Sequence, residues 1–275
     1  MAYEKSTWRL IEHPPAKGAW NMAVDEAILS SVINGESCPT LRLYAWHPAC
    51  LSLGHAQPFS EVNTSVLGAQ GWDVVRRPTG GRAILHVDEL TYSVIAPQTE
   101  SRVKGGVLES YLRLSEALIA ALNLLGLSPE ANEKDSNQKP NNTNPVCFEI
   151  PSNYEITVNG KKLIGSAQAR RNTGLLQHGA LPLYGDLTRI ISALNFTNQA
   201  KKDMAKTRLL DHATTVECEL GFAPNWQDAS QAFQSAFKQV LNIEFTHDQL
   251  TEQEMQRTAQ LMQEKYYHPS WTERI

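Results

Sequence analysis

Arg76-Arg77-Pro78-Thr79-Gly80-Gly81-Arg82-Ala83-Ile84-Leu85-His86 is the stretch on which the reading of this chain turns. A strand pattern over residues 72–77 runs into a turn at residues 78–81, resumes over 83–86 and again over 90–96. The two glycines allow a backbone to approach a ligand with no Cβ in the way. Arg76, Arg77 and Arg82 carry fixed fork donors that suit a phosphate or a carboxylate. A tight turn with solvated arginines explains the same residues, and local chemistry leaves both readings open. The turn is not a phosphate-binding P-loop, because it lacks the Gly-Lys-Ser/Thr ending.

Outward from this turn, residues 7–13 read as an opening strand and residues 20–33 as a helix stopped near Gly35. Strand patterns follow at residues 40–46 and 50–54. Val107, Tyr111, Leu114, Leu118, Leu122 and Leu125 place one apolar face on a helix that Gly126 ends. Residues 129–145 are polar and Asn-rich, which predicts a mobile loop. Strands at 154–158 and 162–169 flank Asn159-Gly160, a hairpin turn signal. A further strand at 175–183 and a short helix at 187–194 follow. The C-terminal part is helical: Trp226, Ala229, Phe233, Ala236, Phe237 and Val240 share a face, and Thr251 with Glu254 forms a capping box for a second helix to about residue 266. Strands interspersed with helices and hairpins point to an α+β fold.

The 275 residues suffice for one large domain or two small ones, with 41% hydrophobic and 20% charged residues. A net charge of −4 argues against a chain built to grip nucleic acid, while leaving room for small basic patches that receive an acidic carrier protein. No apolar run is long enough to span a membrane, and the N-terminus has no secretory pattern, so the expected location is the cytoplasm. Four scattered cysteines form no Cys-x-x-Cys pair, which speaks against a disulfide framework or a zinc site.

Cys147, in Val146-Cys147-Phe148-Glu149-Ile150-Pro151, has the apolar neighbours of an inert cysteine. Its place directly after the long loop makes it a candidate nucleophile. Cys38, Cys50 and Cys218 lack a comparable cationic or glycine-rich neighbourhood and read as structural. In the strand Lys161-Lys162-Leu163-Ile164-Gly165-Ser166-Ala167, alternation puts Lys162, Ile164 and Ser166 on one face. An ammonium at Lys162 near Cys147 favours the thiolate. An ordinary surface lysine is the alternative for that residue alone. His178, in Leu176-Gln177-His178-Gly179-Ala180, and His86 show no evident Asp partner in sequence, so no Cys–His dyad is assigned.

Asn21 to Glu26, Arg76-Arg77-x-x-Gly80-Gly81 followed by His86, and Lys162-x-x-Gly165-Ser166-Ala167 together resemble the biotin/lipoate protein ligase superfamily, over most of the chain. Within it, Cys147-Phe148 ahead of Lys162, the segment Arg77 to Arg82 and the segment Glu89 to Ser93 are similar to the cysteine-dependent octanoyltransferases of lipoate synthesis. The resemblance implies an α+β fold with mixed and antiparallel sheets flanked by helices. It implies a single catalytic domain over residues 1–245, with residues 246–275 as a helical extension packed on it. It further implies an octanoyl-acyl carrier protein as donor and a lipoyl-domain protein, such as the glycine-cleavage H protein, as acceptor. Cys147 and Lys162 would be catalytic. Arg76, Arg77, Thr79, Gly80, Gly81, Arg82, His86, Gly165, Ser166, Ala167, His178 and Gly179 would surround the acyl group. No metal or cofactor is expected, no nucleic acid or membrane partner, and a monomer is the default. The rivals are an ATP-dependent lipoate-protein ligase working through an acyl-adenylate and a non-catalytic acyl- or cofactor-binding protein of the same fold.

Overall fold

In the computed structural model, which describes residues 3–133 and 154–275, the chain runs β1 (Ser6–Glu12), α1 (Gly18–Ile33), β2 (Thr40–Tyr44), β3 (Cys50–Leu53), α2 (Thr64–Gln70), β4 (Asp73–Arg76), β5 (Ile84–His86), β6 (Glu89–Pro97) and α3 (Val107–Leu124). It continues through β7 (Glu130–Glu133), β8 (Tyr154–Val158), β9 (Lys161–Arg171), β10 (Gly174–Pro182), α4 (Arg189–Ser192), α5 (Gln199–His212), α6 (Val216–Leu220) and α7 (Trp226–Val240). It closes with β11 (Ile243–His247), α8 (Glu252–Leu261), a π-helical turn at Met262–Tyr266 and α9 (Pro269–Thr272). One sheet has the order β11-β1-β2-β6-β10-β9-β8-β7 and the other β4-β3-β5. Parallel pairs (β11/β1, β1/β2 and β3/β4) mix with antiparallel ones, so the fold is α+β with a mixed sheet. Among the described residues, no helix is long and apolar enough to cross a membrane.

The alternation of side chains along the large sheet gives it two different faces. Leu41 and Leu43 of β2, with Leu90, Tyr92 and Val94 of β6, turn to one side and pack with Leu114, Leu118, Phe233 and Phe237 of α3 and α7 in the main core. Thr40, Arg42, Tyr44, Thr91, Ser93 and His178 turn to the other. That face is covered by α1 and the small sheet, so its polar groups are buried as well. α1 is accordingly enclosed on most sides. Val24, Ile28 and Val32 meet Ile95 and Leu176 of the sheet, while Ala19, Met22 and Ala23 cluster with Cys50, Val75, Leu261 and Tyr266.

Several local signals act as the sequence predicts. Asn159 (φ 49°) and Gly160 (φ 76°) form the β8–β9 turn in the left-handed region. Thr251 and Glu254 form the capping box of α8. Gly126 (φ 92°) follows the end of α3. Val107, at the start of the expected α3 stripe, is exposed. Within the expected loop at 129–145, residues 130–133 are instead an edge strand, paired with β8. The exposed edge of β8 offers unpaired backbone groups that a neighbouring segment satisfies, whatever its side-chain polarity. The remainder of that loop lies outside the described residues. β11 completes the other edge of the sheet beside β1.

Helix α8 is fastened by a buried fork. Arg9 of β1 donates to both oxygens of Glu254, at 2.6 and 3.1 Å, with Thr40 and Asp248 as further partners. Burial opposes the Glu254 charge, but hydrogen bonds from Arg9 and Thr251 outweigh it and hold the carboxyl below its ordinary value. Such a group stabilises the fold fully above its unfolded pKa, and that stability is lost as pH falls through the folded pKa. Glu254→Ala should lower the unfolding free energy at neutral pH by about 3 kcal/mol, since Arg9 keeps only the hydrogen bond to Thr40 and the longer contact with Asp248. In denaturant titrations the deficit should shrink below about pH 4. An unchanged deficit at acid pH would contradict this account.

Candidate functional site

Between the polar face of the large sheet and the small sheet lies a cleft of about 450 Å³. Met22, Tyr44, Trp46, Ile84 and Ala180 supply apolar walls, and Ser52, Arg77, Gly81, His86, Thr91, Gly165, Ser166, Ala167, His178 and Gly179 complete the lining. The topology explains this meeting. β9 and β10 pair over Gly165–Ala180 and Ala167–His178, while β3 brings Ser52 beside Ile84 of β5. Three separate sequence segments singled out for chemistry thus border one space.

One wall is organised by Asp25 of α1, which is fully buried. It accepts from Arg42 Nη1 at 2.7 Å, Ser93 Oγ at 2.9 Å and the Tyr44 hydroxyl at 3.1 Å, and it faces His178 Nδ1 at 3.5 Å. Burial works against the Asp25 charge, but Arg42 and His178 outweigh it and hold the carboxyl below its usual range. His178 is shifted down by burial, partly countered by Asp25. The neutral ring presents Nδ1–H to Asp25, which leaves Nε2 to accept from Thr79 Oγ1 at 2.6 Å. Thr79 belongs to the glycine turn, so α1 holds that turn through one histidine.

His86 has its own carboxylate. Its Nδ1 lies 2.6 Å from Glu89 Oε1, and Nε2 lies 2.7 Å from Ser52 Oγ. Trp46 stacks on the ring at 4.0 Å with 10° between planes, and its indole N–H donates to Thr91 at 2.7 Å. Thr91 in turn donates to Glu89. Both histidines therefore have the acidic partner that the sequence reading did not find. Glu89 follows His86 by three residues and was open to inspection. Asp25 is 153 positions from His178, and only the fold brings them together.

The arginines serve the chain. Arg76 is fully buried and donates to the carbonyls of Gly54, His55, Gln57, Trp271 and Thr272. Its expected place beside a ligand gives way to a structural one, because its fork closes on backbone behind the cleft. Arg77 donates to the carbonyls of Ser52, Gly80 and Arg82 and to Ser52 Oγ. It borders the cleft and at the same time shapes the turn. Arg82 pairs with Glu61 at 3.6 Å. The turn also needs Gly54, where a Cβ would come within 1.8 Å of the Gly81 carbonyl oxygen. Gly179 makes room for Ser166 Oγ and the Tyr92 ring, which would lie 2.6 Å from a Cβ there.

Lys162 is buried and pairs with Glu155 at 3.2 Å. The expected sharing of a face with Ile164 is corrected by the register. Ile156 faces Ile164 and Thr157 faces Lys162, so the strand carries one extra residue, a bulge, at Leu163. Ile164 consequently joins the main core with Leu163. Lys162 turns to the opposite face of the sheet, the one that Gly165 and Ala167 present to the cleft. Lys161 donates to the Leu210 carbonyl near the end of α5. Cys50 is buried and its thiol is pushed well up by burial, whereas Cys38 and Cys218 are exposed. Cys147 lies outside the described residues.

Comparison with known proteins gives concordant matches. The family described as the lipoyl protein ligase A/B catalytic domain matches residues 17–238. An octanoyltransferase LipM of Carboxydothermus hydrogenoformans is 39% identical over 266 residues, covering 96% of this chain and 98% of that protein. Its namesake from Kyrpidia tusciae is 37% identical over 272 residues, covering 98% and 99%. Among solved structures, a bipartite lipoate protein ligase from Thermoplasma acidophilum, described together with its E2 lipoyl domain, has a TM-score of 0.78 at 25% identity. The match covers 98% of this chain and 96% of that one.

The close approach at Gly54 yields a direct contrast. Gly54→Ala should cost about 1–3 kcal/mol of stability, because the obstructing atom is backbone. Gly80→Ala, which meets nothing within 4 Å, should stay within about 0.5 kcal/mol of the parent. Urea unfolding of the two variants checks this, and equal midpoints would refute the packing described for the turn.

Proposed function

We propose that this chain, which belongs to the lipoyl protein ligase A/B catalytic domain family, transfers an octanoyl group from octanoyl-acyl carrier protein to a lysine of a lipoyl-domain protein, such as the glycine-cleavage H protein, by way of a thioester on Cys147. The observation that carries this reading is the likeness, over nearly the whole length of both chains, to relatives named octanoyltransferases. The cleft suits the chemistry. An apolar space walled by Met22, Trp46 and Ile84 accepts a hydrocarbon tail, whose burial is worth about 0.8 kcal/mol per methylene.

In this reading the donor thioester enters beside the Gly80–Gly81 turn. Cys147, as thiolate, attacks the carbonyl and releases the carrier thiol, so that one transfer becomes two steps. Lys162 favours the thiolate by its charge. Gly165, Ser166, Ala167, His178 and Gly179 border the acyl chain from the large sheet, with Thr79, Gly80, Gly81, Arg82 and His86 opposite. The acceptor amine then displaces the sulfur and forms an amide. Because thioester to amide is downhill, no nucleotide is consumed.

A second reading is favoured by the solved neighbours, which are lipoate protein ligases: activation of a free acid by ATP, without Cys147. One assay separates the two. Incubated with octanoyl-acyl carrier protein and no ATP, the protein should gain one octanoyl group by mass spectrometry, labile to hydroxylamine, and Cys147→Ala should gain none. Lys162→Ala should load at least about 10-fold more slowly at neutral pH and recover as pH rises, since the thiol must then ionise unaided. Full ATP-dependent transfer by Cys147→Ala would overturn the thioester reading in favour of the ligase.

A further inference from the structure

We propose that Ser52, His86 and Glu89 form the proton relay that deprotonates the acceptor lysine as it attacks the acyl-enzyme; this rests on the octanoyl-transfer reading above. An amine reaches the active site chiefly as ammonium, with a pKa near 10.4, and cannot attack a thioester until it loses a proton. The cleft wall carries a group suited to that task. Glu89 lies 2.6 Å from His86 Nδ1, and in the tautomer that carries its proton on that nitrogen the Nε2 lone pair faces Ser52 Oγ at 2.7 Å. Ser52 lines the cleft.

The hydrogen-bond inventory of that hydroxyl decides what it can do. Its one proton goes to His86 Nε2, and one lone pair takes the donor from Arg77 Nη1 at 3.1 Å. A hydroxyl has two lone pairs, so one acceptor position is left for an incoming N–H. One ammonium proton passes to Ser52 Oγ and the serine proton passes to His86, and the freed amine nitrogen then bonds to the thioester carbon. The ring becomes an imidazolium held by Glu89. When the tetrahedral adduct collapses and the carbon–sulfur bond breaks, the second amine proton goes to the departing Cys147 sulfur. His86 then releases its proton to solvent.

The cleft holds a second chain of the same kind, Asp25–His178–Thr79, and charge distinguishes the two. Asp25 is already ion-paired with Arg42 at 2.7 Å and stands 3.5 Å from its histidine. Glu89 is bonded to the neutral Thr91 and to His86, with no lysine or arginine paired to it among the described residues. Its charge is therefore available to a ring that becomes positive. Among the described residues, the other charged or titratable groups facing the pair are Arg77, which donates to Ser52, His178 of β10, Cys50, which lies opposite His86 in the β3–β5 register, and Tyr44 of β2, which with Cys50 senses the Glu89 charge. Trp46 fixes the ring plane from the opposite side.

The test isolates the second half-reaction. Octanoyl-enzyme is prepared and freed of donor, then chased either with a lipoyl domain or with hydroxylamine, which is neutral at pH 7 and needs no base. For His86→Gln and Ser52→Ala, the ratio of lipoyl-domain to hydroxylamine rate constants should fall about 100-fold at pH 7. The deficit should close toward about pH 10, where the lysine ionises on its own. Glu89→Gln, which keeps the shape of the pair, should move the ratio in the same direction. An unchanged ratio, or a deficit as large at high pH as at pH 7, would overturn the relay. If the parent protein forms no octanoyl-enzyme, the thioester reading itself fails, and the relay with it.

Discussion

The buried ion pair between Asp25 and Arg42 is the constraint around which this molecule is arranged. Both side chains are fully buried, and removing two charges from water is costly unless every remaining donor and acceptor is met. Here they are met. Arg42 donates to Asn21 by carbonyl and amide oxygen, to Asp25 and to His13 Nδ1, and its guanidinium lies 3.8 Å from the centre of the Tyr44 ring. Burial and the neighbouring Arg42 push His13 down to about 3, so it remains a neutral acceptor. Asp25 gathers Tyr44, Ser93 and His178 in return. One helix, three strands and, through Thr79, the glycine turn are fixed relative to one another by this network.

That arrangement explains how a sheet can have a largely apolar face and a chemically useful one without exposing either. The α3–α7 side stabilises the fold by hydrophobic burial. The opposite side carries polar side chains that would be costly under α1 if unpaired. Its pairing leaves a narrow apolar cleft whose rim is hydroxyl, imidazole and glycine backbone. Arg76 and Arg77 belong to the same economy of structure: forks that suit an anion in isolation act here as clamps on carbonyl groups, so the turn is rigid before any ligand arrives.

What was legible in the sequence was local. The Asn159-Gly160 turn, the Thr251–Glu254 box, the glycine turn at Gly80-Gly81 and the α7 stripe each declare themselves within a few residues, because their physics is short-range. β11 escaped notice because its burial alternates weakly at a sheet edge, and α5 because only Ala205 and Leu209 of its residues are buried. The bulge at Leu163 has no sequence marker, and it reverses the facing of Lys162 relative to Ile164. Gly165, His178 and the glycine turn, grouped in the sequence by motif order alone, border one cleft, whereas Lys162 is not among its lining residues. The partners that orient the histidines, Asp25 and Glu89, were not legible, since polar residues in a helix and a strand look like solvent-facing positions until the covering layer is known.

The account rests on the cleft between the two sheets being the seat of the acyl group. A crystal structure of the protein after reaction with an octanoyl thioester measures this most directly. The account predicts a single octanoyl chain joined to the Cys147 sulfur, its tail between Trp46 and Ile84 on one side and Gly165 to Ala167 on the other, with the Lys162 ammonium near the sulfur. An octanoyl chain bound elsewhere on the surface, or joined to another residue with the cleft empty, would contradict it.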